Sequence, residues 1–137
     1  MATVSRDKLK VRGFKRLINS FKYAIEGIIY AFKYEQNLSV HLTAMVIVII
    51  FGFLFKISTA EWLVLFLIIG LVIATELINT SIEATIDLIT DKTHPLAKIA
   101  KDTAAGAVLI FGMTSIIIGL IIFVPKIMEV LNWKVVL

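Results

Sequence analysis

The sequence contains no cysteine. Disulfides, thiolate nucleophiles and zinc–thiolate sites are therefore excluded. Its two histidines, His41 and His94, stand too far apart to form a metal-binding pair by local spacing. Neither a phosphate-binding loop of the Walker type nor the protein-kinase motif set is present. There is no internal repeat and no low-complexity tract. Charge is also scarce, with charged residues making up 18% of the 137 positions against 59% hydrophobic. A water-soluble domain of this size has too much surface for its volume to hide that many apolar side chains. A lipid solvent removes the difficulty. The first 35 residues are basic and lack both a continuous apolar stretch and a small-residue cleavage site, so no cleavable signal peptide is expected. The first long apolar segment is expected to stay as an anchor, and the whole chain, residues 1–137, is read as a single membrane domain.

The net charge of +4 is unevenly spread, with eight of the fourteen basic residues between Arg6 and Lys33. Residues 1–12 are polar and basic and are read as disordered or lying on the lipid surface. From 14 to about 34 the pattern becomes helical. Phe14, Leu17, Ile18, Phe21, Ile25, Ile28, Ile29 and Phe32 recur at three- and four-residue spacing, opposite Lys15, Asn19, Lys22, Glu26 and Lys33. Such an amphipathic helix with a basic face suits the interface of an anionic membrane and calls for no nucleic-acid partner.

Three apolar spans follow. Residues 36–55 carry no charge and are long enough to cross about 30 Å of hydrocarbon at ~1.5 Å per residue. After a short polar turn at 56–61, Trp62 opens a second span, placed where interfacial aromatics are favoured. Its uncharged part ends at Thr75, too soon to span, so the helix must continue through Glu76 to about Asp87. Residues 88–102 form a polar connection, and 103–125 form the third span, which begins with small residues suited to close helix packing. Eleven basic residues fall on the side of the N-terminus and the 88–102 loop, and three (Lys56, Lys126, Lys134) fall on the other. The positive-inside rule puts the first side in the cytoplasm of a multi-pass plasma-membrane protein.

The second span holds the chemistry. Glu76, Asn79, Glu83 and Asp87 are spaced +3, +4 and +4, within a sector of about 80° on one helix face. Glu76 lies ~21 Å along the helix from Trp62, inside the hydrocarbon. A charge at that depth costs several kcal/mol unless it is neutralised, paired or hydrated. One such residue is readily explained as an interhelical hydrogen bond; four on one face call for a use. Other polar groups belong to the same cytoplasmic end: Glu35 just before the first span, Lys101 and Asp102 at the start of the third, and Arg16 and Tyr23 on one flank of the amphipathic helix. Separated carboxylates with lysine and arginine suit magnesium and phosphate. A further carboxylate at the lipid boundary suits a general base for a hydroxyl group. Together they are the parts of a phosphoryl-transfer site.

Two blocks carry a resemblance. Glu76-Leu-Ile-Asn79-Thr-Ser-Ile-Glu83-Ala-Thr-Ile-Asp87 and Ala100-Lys101-Asp102-Thr-Ala-Ala-Gly-Ala-Val-Leu-Ile110 resemble the signatures of the prokaryotic diacylglycerol kinases, small trimeric membrane lipid kinases. The resemblance runs from about Phe14 to the end of the third span. It implies an all-α membrane fold of one amphipathic surface helix and three transmembrane helices, assembled as a homotrimer with active sites shared between subunits and open to lipid. It implies Glu76 as the catalytic base, Glu35 and Glu83 as carboxylates for the Mg2+ that accompanies ATP, and Arg16, Tyr23, His94, Lys101 and Asp102 near the nucleotide, with Asn79 and Asp87 in support. The Asn79-Thr80 pair, the His94-Pro95-Leu-Ala-Lys98 loop, Glu35-Gln-Asn37 and the Ile-Phe-Val-Pro125-Lys tail are similar to the branch that phosphorylates undecaprenol. Phosphorylation of diacylglycerol is the alternative. A proton-relay or transporter subunit would also explain a buried Glu76, but not Lys101-Asp102 or the basic helix with Glu35; a purely structural anchor leaves the polar row without a role. His41, at the head of the first span, is read as an interfacial or hydrogen-bonded residue.

Overall fold

The computed structural model describes residues 13–135, with side chains described to residue 131. The expectations for residues 1–12 and for an interfacial anchor at Trp133 and Lys134 lie outside the described residues or side chains. Four helices follow one another: α1 Phe14–Tyr34, α2 Gln36–Leu54, α3 Thr59–Ile89 and α4 Pro95–Val135. The all-α class agrees with the sequence reading. α2, α3 and α4 are each long and apolar enough to cross a membrane.

The chain divides into two compact units, with α1 in the first and residues 35–137 in the second. α1 matches its predicted bounds. Its apolar stripe is uncovered, with Phe14 75%, Phe21 63% and Ile29 58% exposed, as expected of a face meant for lipid. Lys22 and Glu26 pair one turn apart on the polar side, and the Tyr30 and Tyr34 rings lie 4.7 Å apart.

In the second unit α3 packs mainly against α4 and more lightly against α2. The α2–α3 turn is built by local rules. α2 ends in a Schellman arrangement: the Ile57 N–H donates to the Gly52 carbonyl at 3.1 Å and the Lys56 N–H to the Phe53 carbonyl at 3.3 Å. Lys56 takes the left-handed conformation this closure requires, φ 49°. Ser58 then caps α3. Its hydroxyl accepts from the Glu61 N–H at 3.3 Å, while the Glu61 carboxylate accepts from the Ser58 N–H at 2.6 Å. Beneath the turn, Ile57, Leu65, Ile122 and Phe123 form a buried cluster flanked by Val48, Phe55 and Trp62. Glu61 also meets Lys126 of α4 at 3.3 Å.

Three expected boundaries are corrected. The second span starts at Thr59, not Trp62, because the capping box supplies an earlier start. Trp62 is half-buried in the hairpin, its ring 5.0 Å from Phe53 and 5.3 Å from Phe66. The polar connection is only residues 90–94, not 88–102. Pro95 occupies the first helical position, where its missing N–H costs nothing. His94 caps the helix, its Nδ1 accepting the Leu96 N–H at 3.2 Å. Finally, α4 continues through Pro125 to Val135. Proline removes one backbone hydrogen bond there, a loss that membrane helices tolerate through local adjustment.

Ile68 and Val72 of α3 are also buried, while many other apolar side chains of α3 and α4 face outward: Leu63 68%, Leu67 66%, Leu109 63% and Ile121 69% exposed. Ala104, within the small-residue stretch at the start of the third span, is buried.

Gly52 is where the hairpin is tightest. A β-carbon there would lie 2.6 Å from Trp62 Cη2 and 3.2 Å from Ile57 Cδ1. Gly52→Ala is expected to destabilise the protein by about 1–3 kcal/mol through overpacking, read as a lower midpoint of thermal unfolding in detergent micelles; an unchanged midpoint would contradict this packing.

Candidate active site

The polar row of α3 is graded by depth. Glu76 is 2% exposed and Asn79 7%. Glu83 is half-buried, and Asp87 is exposed. Asp87, placed by the sequence at the end of the span, is the member that reaches solvent. The reason is length: α3 has 31 residues, about 46 Å at 1.5 Å each, so its last turns project past a 30 Å hydrocarbon layer.

Each member of the row has its own partner. Asn79 Nδ2 donates to Glu83 Oε1 at 2.9 Å, an i, i+4 pair that joins the two on one stripe. The Thr80 hydroxyl donates to the Glu76 backbone carbonyl at 3.1 Å. Asp87 reaches across to α4, where Lys101 Nζ meets its Oδ1 at 2.5 Å. Glu76 itself faces α2: His41 Nε2 lies 3.1 Å from its Oε1. That ring N–H is within reach but not aligned, so Oε1 has no well-formed hydrogen bond, and Asn79 Oδ1 likewise has none.

At the water-facing end, a cavity of about 660 Å³ opens around the α3–α4 connection. Asp87, Lys92, His94, Lys98, Lys101 and Asp102 line it. Two lysines of α4 lie in its first two turns: Lys98 pairs with Asp102 one turn on, and Lys101 pairs across the cavity wall with Asp87.

Most residues expected at the site thus fall into two groups within the second unit. Glu76 and Asn79, buried, and Glu83, half-buried, form one strip of α3, Glu35 stands at the N-cap of α2, and Asp87, His94, Lys101 and Asp102 form the cavity end. Arg16 and Tyr23 belong to α1, the other unit, where Tyr23 is 65% exposed. Among the described residues no group of three or more His, Asp or Glu side chains is placed to hold a metal ion by itself. Two carboxylates together with phosphate oxygens remain a suitable donor set for magnesium, which keeps few protein ligands. His41, read from the sequence as an interfacial or hydrogen-bonded residue and not counted among the site residues, is the group that α2 brings beside Glu76. It is the one titratable group within an otherwise uncharged α2, and that isolation was the available signal.

Residues 22–123 match the model of the prokaryotic diacylglycerol kinases. The chain belongs to the prokaryotic diacylglycerol kinase family. The matched stretch contains every expected site residue except Arg16, which precedes it. The chain is 52% identical over 111 residues to the undecaprenol kinase of Bacillus subtilis, covering 81% of this chain and 90% of that protein. It is 38% identical over 116 residues to a diacylglycerol kinase of Synechocystis, covering 84% of this chain and 66% of that protein. It is 37% identical over 102 residues to a diacylglycerol kinase of Helicobacter pylori, covering 74% of this chain and 79% of that protein.

The depth gradient predicts unequal costs of substitution. Asn79→Ala removes a buried amide and a hydrogen bond to a carboxylate, and is expected to cost about 1–3 kcal/mol. Asp87→Asn disturbs a pair in contact with water and is expected to cost under ~1 kcal/mol. Thermal unfolding of both variants in the same detergent checks the order; a larger loss for Asp87→Asn would contradict the gradient.

Proposed function

We propose that this chain is a membrane undecaprenol kinase, transferring the γ-phosphate of ATP to the hydroxyl of undecaprenol to give undecaprenyl phosphate. The likeness over most of both chains to an undecaprenol kinase carries the substrate reading, and the burial of Glu76 beside lipid-facing helices supports it. Diacylglycerol as substrate is the second reading, favoured by the names of the other relatives.

In this reading Glu76 is the general base. The lipid alcohol approaches through the bilayer, its hydroxyl oxygen attacks the γ-phosphorus in line, the bond from that phosphorus to the ADP oxygen breaks, and the hydroxyl proton passes to the Glu76 carboxylate. A carboxylate at this depth meets a hydroxyl held among apolar chains, which one in water would not. The nucleotide enters at the cavity end, where Lys101, Lys98 and His94 supply positive charge and hydrogen-bond donors. Arg16 and Tyr23 contribute from α1, and Asp102 restrains Lys98. Glu35 and Glu83 would hold Mg2+, which neutralises charge on the phosphate oxygens when bound. Asn79 orients Glu83 through its amide, and Asp87 orients Lys101.

The same reading includes a homotrimer and a topology in which the N-terminus and the α3–α4 connection face the cytoplasm of the bacterial cell. The excess of basic residues on that side supports the topology. An uncovered apolar surface on every span leaves room for helix partners as well as lipid.

The deciding experiment is phosphate transfer in detergent with undecaprenol and diacylglycerol at equal mole fraction. Undecaprenol is expected to turn over faster; the reverse order would replace the substrate assigned. In the same assay Glu76→Gln should abolish turnover while oligomer size and ATP binding persist, and turnover within about threefold of the unaltered protein would remove Glu76 as the base. Glu83→Ala and Glu35→Ala should shift the magnesium titration to higher concentration; an unshifted titration would remove them as ligands.

A further inference from the structure

His41 stands at a junction. On one side its Nε2 lies 3.1 Å from Oε1 of Glu76, with the His41 side chain 25% exposed and that of Glu76 3%. The same residue lines a cavity of about 80 Å³ enclosed by α2, α3 and α4, together with Ile68, Val72, Ser115 and Gly119. α4 closes on the ring, since a β-carbon at Gly112 would lie 3.9 Å from its Cε1. An imidazole therefore borders both a buried carboxylate and a small, largely apolar space.

The polar groups on this part of α3, and Lys101 of α4, do not engage that carboxylate. Asn79 is spent on Glu83, Thr80 on the Glu76 backbone, and Lys101 on Asp87. A glutamate side chain has three rotatable bonds, and a base must present one oxygen to a hydroxyl in a fixed direction. A donor held against one carboxylate oxygen sets the plane of the group and leaves the other oxygen free to receive the proton. An imidazole, in a helix with no other titratable group, brings such a donor to this point.

We propose that His41 is a positioning residue for Glu76: a small turn of the ring aligns its Nε2–H with Oε1, a buried oxygen with no other partner, so that Oε2 takes the proton of the lipid hydroxyl. The proposal rests on the reading of Glu76 as base. It assigns His41 no proton transfer of its own. The O–H bond of the alcohol breaks to Glu76, and the imidazole keeps its hydrogen throughout.

The test uses the full chain in detergent with undecaprenol and ATP, each variant normalised to protein that elutes with the unaltered oligomer. His41→Leu fills the space without a donor. It is expected to lower kcat about 10- to 100-fold, the loss of a hydrogen bond to a charged group, while KM for ATP stays within about twofold. His41→Gln offers an amide N–H of comparable reach and is expected to recover kcat to within about fivefold of the unaltered protein. The double variant with Glu76→Gln should be no slower than Glu76→Gln alone, because the histidine acts only through the glutamate. A His41→Leu kcat within about twofold of the unaltered protein overturns the proposal. So does a His41→Gln variant no better than His41→Leu, which would make the residue one of packing. The Glu76 reading fails separately, if Glu76→Gln itself turns over near the unaltered rate, whatever the His41 variants do.

Discussion

A carboxylate nearly closed to solvent in the middle of an apolar helix is the constraint around which this protein is arranged. Desolvating such a group costs several kcal/mol, and the surrounding sequence is spent on reducing that cost. α2 brings a histidine to it, α3 continues the polar face toward water one turn at a time, and α4 meets that face where it emerges, through the Lys101–Asp87 pair. Remove Glu76 and the stripe from Asn79 to Asp87 loses its reason to lie on one side. The gradient from 2% exposure at Glu76 to an open side chain at Asp87 spans a single helix. Under the kinase reading that gradient separates a fat-soluble reactant from a water-soluble one.

Much of this was legible from residue order. α1 and α2 fall where the periodicity and the uncharged run place them, because few polar residues interrupt either pattern. The Glu76–Asp87 spacing placed the four polar residues on one face, since side chains at three- and four-residue intervals share a side of any α-helix. Three boundaries were misjudged for local reasons. Ser58-Thr-Ala-Glu61 is a capping signature, and weighting it above Trp62 would have started α3 correctly. Pro95 marked a helix start that the surrounding polar residues disguised as loop. Pro125 was taken as a stop, although a proline in a membrane helix need not end it.

The tertiary facts were not legible in the same way. Nothing local links His41 to Glu76; they meet because α2 and α3 fold back on each other about the 55–58 turn. Asp87 looks like its neighbours in the row, and only the length of α3 reveals that it reaches water. Lys101 and Asp102 sit adjacent in sequence yet turn to different partners, one across to α3 and one back along α4. Sequence spacing specifies a face within one helix, whereas pairing between helices depends on their packing.

The α2–α3 turn has a bearing on how the chain enters its membrane. Its N–H groups are bonded within the turn: those of Lys56 and Ile57 to carbonyls at the end of α2, and those of Ser58 and Glu61 to each other's side chains. Threading a loop through hydrocarbon is costly chiefly for backbone groups stripped of water. A hairpin that closes its own tip presents few of them, leaving the Lys56 ammonium and the rest of the Glu61 carboxylate to be carried through. Two helices joined in this way can insert as one hydrophobic pin, with the third helix later bringing Lys126 to meet the acid at the tip.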